Sequence, residues 1–378
     1  MERKRLDLPQ LGERLKLVDM GLVMLLARRM NLARLVEEIK REIKQPISRP
    51  KIEMERLQDV TAWAERYGLN PEFARAMLYA AIGEACKVQM IQFQQSQGLY
   101  TDTKTEEDRR GRLKQNLLEF TELCAPLYDA RYDQSFFATK IHAEFEESGI
   151  RNLAEEMAGE LALDLGCATG RHSLLIAPLF KRVVGYDISP AMVKVAQDKI
   201  GSDKHVSFLI HDLEQGIPAE NDSASLVVMS IGTASDIPNL PKLFEEIRRV
   251  LKPKGKAFLS FYNRGAVLYQ WGFVPWKTGL AAEVDTDRQC LDVTWEQGGS
   301  EHHFSLFAQS ISPEDLETLL PSGLPIVSYS THPIMAATLP NLLFEKESVR
   351  TSVAAIDKRL ADEGTEGGAY LTAIVRKT

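Results

Sequence analysis

Residues 160–170 read Glu160-Leu161-Ala162-Leu163-Asp164-Leu165-Gly166-Cys167-Ala168-Thr169-Gly170, an apolar run of strand length that ends in a turn of small residues. The run ELALDLG is nearly continuous rather than alternating, as expected of a strand covered on both faces. The next stretch, ATGRHSLLIAPLF, has helical spacing. Small residues at 166, 168 and 170 allow the backbone to approach a ligand closely, while the first N–H groups of the helix point outward. Glycines at such a turn also serve simply to close a tight connection, so the turn alone leaves a ligand open.

The alternation continues outward from this point. RVVGYD, HVSFLIHD, ASLVVMS and GKAFLSFYN read as strands, separated by the helical stretches SPAMVKVAQDKI and LPKLFEEIRRVLK. Buried strands separated by helices predict a doubly wound α/β domain, with a parallel sheet and helices on both faces. Ligands of such sheets bind beyond the carboxyl ends of the strands. Asp187, seventeen residues after Gly170, ends the second strand, where a carboxylate accepts both hydroxyls of a ribose. Asp212 ends the third, placed to meet an adenine edge. A nicotinamide dinucleotide would call for G-x-G-x-x-G, whereas the spacing here is G-x-A-x-G. Further along, CLDVTWEQ and HHFSLFAQ read as a hairpin across Gly298-Gly299, Ser312-Pro313 opens a helix, and AYLTAIVRK is a terminal strand.

Before this domain the pattern is helical throughout. Residues 6–44 carry Leu11, Leu15, Val18, Leu22, Leu25, Leu26, Leu32, Val36, Ile39 and Ile43 at helical spacing, and Pro46 stops the run. Such a helix is roughly 55–60 Å long at about 1.5 Å per residue. A compact unit of this size is only about 25–30 Å across, so the helix needs a partner along its length, most simply a second copy of itself. Two more helices are expected over 51–67, ending at Gly68, and over 71–97, with Asn70 as N-cap and Pro71 first. The expected domains are therefore 1–97, all-α, and 114–378, α/β. Residues 98–113, GLYTDTKTEEDRRGRL, join them as a polar linker. A helical stretch rich in aromatics is expected over 114–149, and an insertion over 263–345 between the fifth strand and the last.

Composition narrows the function classes. Over 378 residues the net charge is −7, against a binder of nucleic acid working through a global basic field. The first 100 residues hold 17 lysines and arginines against 13 acids, leaving the acidic excess to the remainder. Cys86, Cys124, Cys167 and Cys290 form no CxxC pair, so neither a disulfide framework nor a cysteine metal site is expected. MERKRLDLPQ lacks the apolar segment of a signal peptide, and no run of 18 apolar residues exists, so the expected location is cytoplasmic.

LDLGCATGRHS, VVGYDISPAMVKVA, FLIHDLEQGIP and LFEEIRRVLKPKGKAFLSFYN, in that order, resemble the class I S-adenosylmethionine-dependent methyltransferases. The resemblance covers about residues 115–378 and implies a Rossmann-like fold. It implies that Gly166, Cys167, Ala168 and Gly170 pack against the methionine part of S-adenosylmethionine, with Asp164 near its amino group. Asp187 would hold the ribose, Ile188, Asp212 and Leu213 would meet the adenine, and Ser230 would lie under the sulfonium. The preceding aromatic helix resembles the lid of such enzymes, which makes Tyr128 and Tyr132 candidates for cofactor or acceptor contacts. In the insertion, Trp271, Phe273, Trp276 and Trp295 offer aromatic surface to a flat acceptor or form the insertion's own core, and Arg264 or Lys277 would pair with an acidic one. His172 and His211 read as packing or capping residues. His142, His302, His303 and His332 are open as acceptor-side groups, and no catalytic residue is singled out.

ERLKLVDMGLVMLLARRMNLARLVEEIKREIKQPISRPKIEMERL and AERYGLNPEFARAMLYAAIGEACKVQ resemble the all-helical chorismate mutases over about residues 8–95. The resemblance implies an intertwined homodimer through the N-terminal helices and a pocket of Arg29, Lys40, Glu53 and Gln89. The departures weigh against mutase activity. Gly12 and Ile52 stand where the family carries arginines, Arg49 where it carries an acid, and Ala85 where it carries a small hydroxyl residue. The expected function is methyl transfer to a small, aromatic or carboxylate-bearing molecule by a dimer with an inactive mutase-like domain. Alternatives are a bifunctional mutase/transferase, a synthase of carboxylated S-adenosylmethionine using prephenate, a non-catalytic cofactor sensor, or RNA modification.

Overall fold

The computed structural model describes residues 8–43, 45, 47, 49–96, 106–130, 136–201, 205–270, 278, 280, 282–286, 288–297 and 300–378. The chain divides into two compact units, one holding the described residues up to 96 and the other those from 106 onward.

The first unit is three helices: α1 (Leu8–Glu42), α2 (Pro50–Tyr67) and α3 (Pro71–Ser96). α2 ends at Gly68 in the left-handed region, φ 69°, where Leu69 N–H donates to Ala64 O at 2.9 Å. α3 begins under the Asn70 side chain, whose Oδ1 accepts from the N–H groups of Glu72 and Phe73. α1 and α2 both pack on α3, yet α1 keeps most of its apolar side chains in the open: Leu15 and Leu25 are 63% and 65% exposed. Pro46, read as the stop of α1, lies outside the described residues.

The second unit opens with α4 (Glu106–Cys124), whose first eight residues fall in the stretch read as linker. Leu113 explains the difference. It is fully buried and starts an apolar face that continues through Leu117 and Phe120, a period hidden by the charges before it. The aromatic stretch 114–149 is broken by a turn of 3₁₀ helix at Ala125–Leu127, at Pro126, before α5 (Phe137–Met157).

Strands β1 (Gly159–Leu165), β2 (Phe180–Asp187), β3 (Val206–Ile210), β4 (Ala224–Met229) and β5 (Leu251–Asn263) pair in parallel, in the order β5-β4-β1-β2-β3. α6 (Arg171–Ile176), α7 (Pro190–Ile200) and α8 (Leu240–Val250) connect them. β6 (Glu283–Asp285), β7 (Cys290–Gln297) and β8 (Ser300–Phe307) form a separate three-stranded antiparallel sheet; the hairpin register closes at Gln297 opposite Ser300. β9 (Ser310–Ile311) adds to β5. β10 (Ile326–His332) and β11 (Tyr370–Arg376) extend the main sheet antiparallel beyond β5, so the sheet is mixed rather than wholly parallel. Apolar clusters cover both faces, Leu163, Leu165 and Phe244 on one and Ala162, Val183 and Phe258 on the other, which is why ELALDLG lacks alternation. This is the doubly wound, Rossmann-like arrangement with its order reversing at β1, between β4 and β2.

Candidate functional site

At that reversal the chain after β1 makes the tight turn read from the sequence. Gly166, Ala168 and Gly170 all take positive φ, at 74°, 45° and 79°. A Cβ on Gly166 would stand 2.2 Å from Thr233 Cγ2, so glycine is required by both backbone and space. The Gly166 and Cys167 N–H groups donate to Tyr186 O, which welds the turn to the end of β2.

Asp187 holds the same turn from the other side. Its Oδ2 accepts from Ala168 N–H at 2.8 Å and its Oδ1 from Ser189 N–H at 2.9 Å, leaving each oxygen with capacity for a ligand hydroxyl. Burial pushes its carboxyl up to about 6, against the pull of those two donors. Asp164 is 1% exposed; Ser173 Oγ donates to its Oδ2 at 2.6 Å, while Oδ1 is buried with no hydrogen-bond partner. Burial raises this carboxyl as well. An orphaned acceptor beside a glycine cradle fits a ligand that brings a donor, as the ammonium of an amino acid does.

A cavity of about 280 Å³ opens over this turn. Of the residues read as cofactor contacts, Gly166, Cys167, Ala168, Asp187, Ile188, Asp212, Leu213 and Ser230 line it; Asp164, in β1, and Gly170, the N-cap of α6, are not among its lining residues. Cys167 is buried, and burial raises its thiol well above its ordinary value, consistent with packing rather than nucleophilic use. Ser230 Oγ lies 2.7 Å from His172 Nδ1, and His211 Nε2 lies 2.8 Å from Gly216 O; both histidines also line the cavity, and His172 Nε2 is buried without a hydrogen-bond partner among the described residues. Asp212 is not a bare carboxylate. Burial raises it, but the Lys114 ammonium of α4 at 2.5 Å outweighs this and holds it below the usual carboxylate range. Lys114 also reaches Glu214 at 2.9 Å.

The outer wall comes from α4 and the β6–β8 sheet. Phe120 meets Trp295 edge to face at 6.0 Å, and Leu291, Val293 and Leu306 complete an apolar surface. Tyr128 lines the cavity; Tyr132, Trp271, Phe273, Trp276 and Lys277 lie outside the described residues. Arg264 belongs elsewhere. It lines a separate surface groove and pairs with Asp315 at the start of the helix Pro313–Leu319. His142, His302, His303 and His332 do not line the cavity either. His142 stacks on Tyr370 at 3.9 Å and sits 2.8 Å from the buried Glu146. Glu146 Oε2 accepts the N–H of Ile231, a β-branched residue at φ 52° in the loop after β4. Neither Glu146 nor Asp236, which also lines the cavity, is signalled by a motif; only the acid in IGTASDIP, just past a strand end, hinted at the second.

In the helical unit the residues read as a mutase-like pocket converge. Lys40 Nζ donates to Gln89 Oε1 at 3.1 Å and to Ile47 O, and Arg29 donates to Ala81 O. Glu53 Oε1 accepts the Arg49 N–H at 2.9 Å. Burial lowers Lys40 and Arg29, and the charge of Arg56 lowers both further.

Comparison with known proteins accords with this division. The profile of the methyltransferase domain matches residues 162–255, and that of chorismate mutase type II matches residues 11–90. The 2-phytyl-1,4-naphtoquinone methyltransferase of Synechococcus elongatus is 29% identical over 147 residues, 37% of this chain and 60% of that protein. The ubiquinone biosynthesis O-methyltransferase of Xanthomonas oryzae pv. oryzae is 32% identical over 110 residues, 29% of this chain and 46% of that protein. The chain thus spans 60% or less of these relatives. Among solved structures, the N-methyltransferase NodS of Bradyrhizobium japonicum with S-adenosyl-L-homocysteine is 16% identical, with TM-score 0.42, covering 69% of this chain and 98% of that one.

Proposed function

We propose that this chain, with a methyltransferase domain at 162–255 and a chorismate mutase type II domain at 11–90, transfers a methyl group from S-adenosylmethionine to a small, flat, largely apolar acceptor. The observation that carries the reading is the pair Asp164 and Asp187 around the left-handed turn, one with an orphaned buried oxygen and the other with spare acceptor capacity. Asp164 would take the cofactor's ammonium and Asp187 its ribose hydroxyls. Gly166, Cys167, Ala168 and Gly170 would pack against its methionine part, Ile188, Asp212 and Leu213 around its adenine, and Ser230 beneath its sulfonium. When bound, the cofactor supplies an electrophilic methyl group on a good leaving group. The chain's task is then to align an acceptor and exclude water, for which proximity alone supplies on the order of 7–11 kcal/mol. One named relative is a methyltransferase of 2-phytyl-1,4-naphtoquinone and the other an O-methyltransferase of ubiquinone biosynthesis, which favours an aromatic acceptor here, in keeping with the Phe120 and Trp295 wall. Calorimetric titration with S-adenosylmethionine is the test; a parent protein that does not bind it ends this reading.

The helical unit is proposed to form a homodimer by burying the apolar stripe of α1 against a second copy. The exposed Leu15, Leu22, Leu25 and Leu26 support this, because apolar patches of this extent rarely stay open. Light scattering that gives a monomer mass at micromolar concentration would contradict it. With Gly12 and Ile52 in place of arginines, the pocket is proposed to bind a carboxylate without rearranging chorismate. One observation favours the second, bifunctional reading: Arg56 lies one turn beyond Ile52 and acts electrostatically on both Arg29 and Lys40, so it partly replaces the missing charge. Loss of chorismate absorbance no faster than the uncatalysed rate removes that reading.

A further inference from the structure

The cavity holds one carboxyl with nothing to do. Among the described residues lining it, Asp129 bonds Thr169 and Lys199, Asp212 and Glu214 share Lys114, and Asp187 accepts two N–H groups. Asp236 has no hydrogen bond or ion pair with any described residue, yet it lines the cavity. It ends the 3₁₀ turn Thr233–Asp236 that follows β4, six residues beyond Ser230, whose carbonyl accepts from Thr233 Oγ1 at 2.6 Å.

Its neighbours are fixed while it is not. Ser235 Oγ accepts the Tyr262 N–H at 2.9 Å, Ser235 O accepts the Gln309 N–H at 3.0 Å, and Ile237 O accepts from Gln309 Nε2 at 2.6 Å. A hydrogen-bonded backbone therefore presents a free carboxyl to a cavity whose lining includes the apolar surface of Phe120, Leu291, Val293, Trp295 and Leu306. Of the cations in the lining, Lys114 and Arg171 are already paired to protein carboxylates, and Arg110 is not without a partner either. An acidic acceptor would find them engaged, whereas a hydroxyl would find a partner in Asp236.

We propose that Asp236 is the catalytic residue that meets the acceptor: it hydrogen-bonds a hydroxyl carried on a planar apolar molecule and takes its proton as the methyl group arrives. This rests on the methyl-transfer reading above. The acceptor O–H bond breaks, its electron pair forms the new C–O bond, the C–S bond breaks with its pair going to sulfur, and the proton ends on the carboxylate. Burial raises Asp236 well above its ordinary value, which makes its carboxylate a stronger base than an exposed one. A cation held in the same cavity favours the ionised form that accepts the proton.

The test uses the full chain and binding alone. S-adenosylhomocysteine is titrated first, then 1-naphthol and naphthalene are titrated into the saturated protein. The parent should bind 1-naphthol about tenfold more tightly than naphthalene, the worth of one hydrogen bond to a charged group. Asp236→Ala should keep the S-adenosylhomocysteine affinity and lose that preference; Asp236→Asn, which keeps the volume and makes only a neutral bond, should fall between. If the parent binds S-adenosylhomocysteine but takes the two probes equally or not at all, or if the preference survives in Asp236→Ala, the assignment of Asp236 is overturned and the cofactor reading stands. Failure to bind S-adenosylhomocysteine overturns both.

Discussion

In the α/β unit Asp187 and Asp236 line one cavity and Asp164 stands in β1, and burial pushes all three carboxyls up. In the helical unit Arg29 and Lys40 stand together among carbonyl and amide oxygens, and burial pushes both cations down. The first cause is the same in the two places: charge taken out of water by burial. On the proposed function, the acidic cavity takes a cation-bearing nucleoside and the basic pocket a carboxylate.

The largest effect expected is at Asp187. Asp187→Ala removes the acceptor of two prospective ligand hydroxyls and should weaken S-adenosylmethionine binding at least about 100-fold, at roughly 1.5–3 kcal/mol for each bond to a charged group. Lys40→Met should leave that affinity unchanged. Calorimetry on the two variants checks both, and a cofactor affinity that depends on Lys40 would break the separation of the sites. Next in size is the basic pocket. Malonate, a small dicarboxylate, should stabilise the parent against heat, by about 2.7 kcal/mol at a hundredfold excess over its Kd. Arg29→Ala should abolish the shift, and an undiminished shift in that variant would place the anion elsewhere.

Acidity sharpens the comparison further. Asp187 binds hydroxyls best as a carboxylate, and it titrates at about 6. Cofactor affinity should therefore be level above that pH and fall below it, by up to about tenfold for each unit. For the ligand-free chain the sign reverses. A carboxyl raised in the folded state from 3.8 to about 6 favours folding fully below 3.8, and that contribution disappears as the pH climbs through 6. The cofactor-induced rise in melting temperature should thus be larger at pH 7 than at pH 5. A rise independent of pH would detach Asp187 from the ligand.

The parts legible in the sequence were those governed by local rules. ELALDLG declares a doubly covered strand by its composition, Gly166 and Gly170 declare a tight turn, and Gly68, Asn70 and Pro71 bound their helices because caps act within a few residues. The parts not legible depend on pairings across the chain. Lys114 meets Asp212 across 98 positions, and Ile231 takes its partner Glu146 from a helix before the first strand. The antiparallel edge of β10 and β11 likewise follows from pairing, not from any property of AYLTAIVRK alone. Asp236 is not legible because a lone acid after a strand looks the same whether it faces water or a cavity.

Arg264 gives the smallest expected effect. From the sequence it was an acceptor-side cation, a third region of charge that would have blurred the contrast between an acidic cavity and a basic pocket. In the structure its guanidinium is half exposed and pairs with Asp315, whose carboxylate already caps its helix through Ser312. Removing it leaves Asp315 with the Ser312 N–H and hydroxyl as donors, so little is orphaned. Arg264→Ala should cost no more than about 1 kcal/mol of stability, as exposed ion pairs do, and that small loss should shrink further in high salt. Cofactor affinity and the preference for 1-naphthol over naphthalene should both be unchanged. A variant that loses either would return Arg264 to the acceptor side and require the cavity to extend past the end of β5.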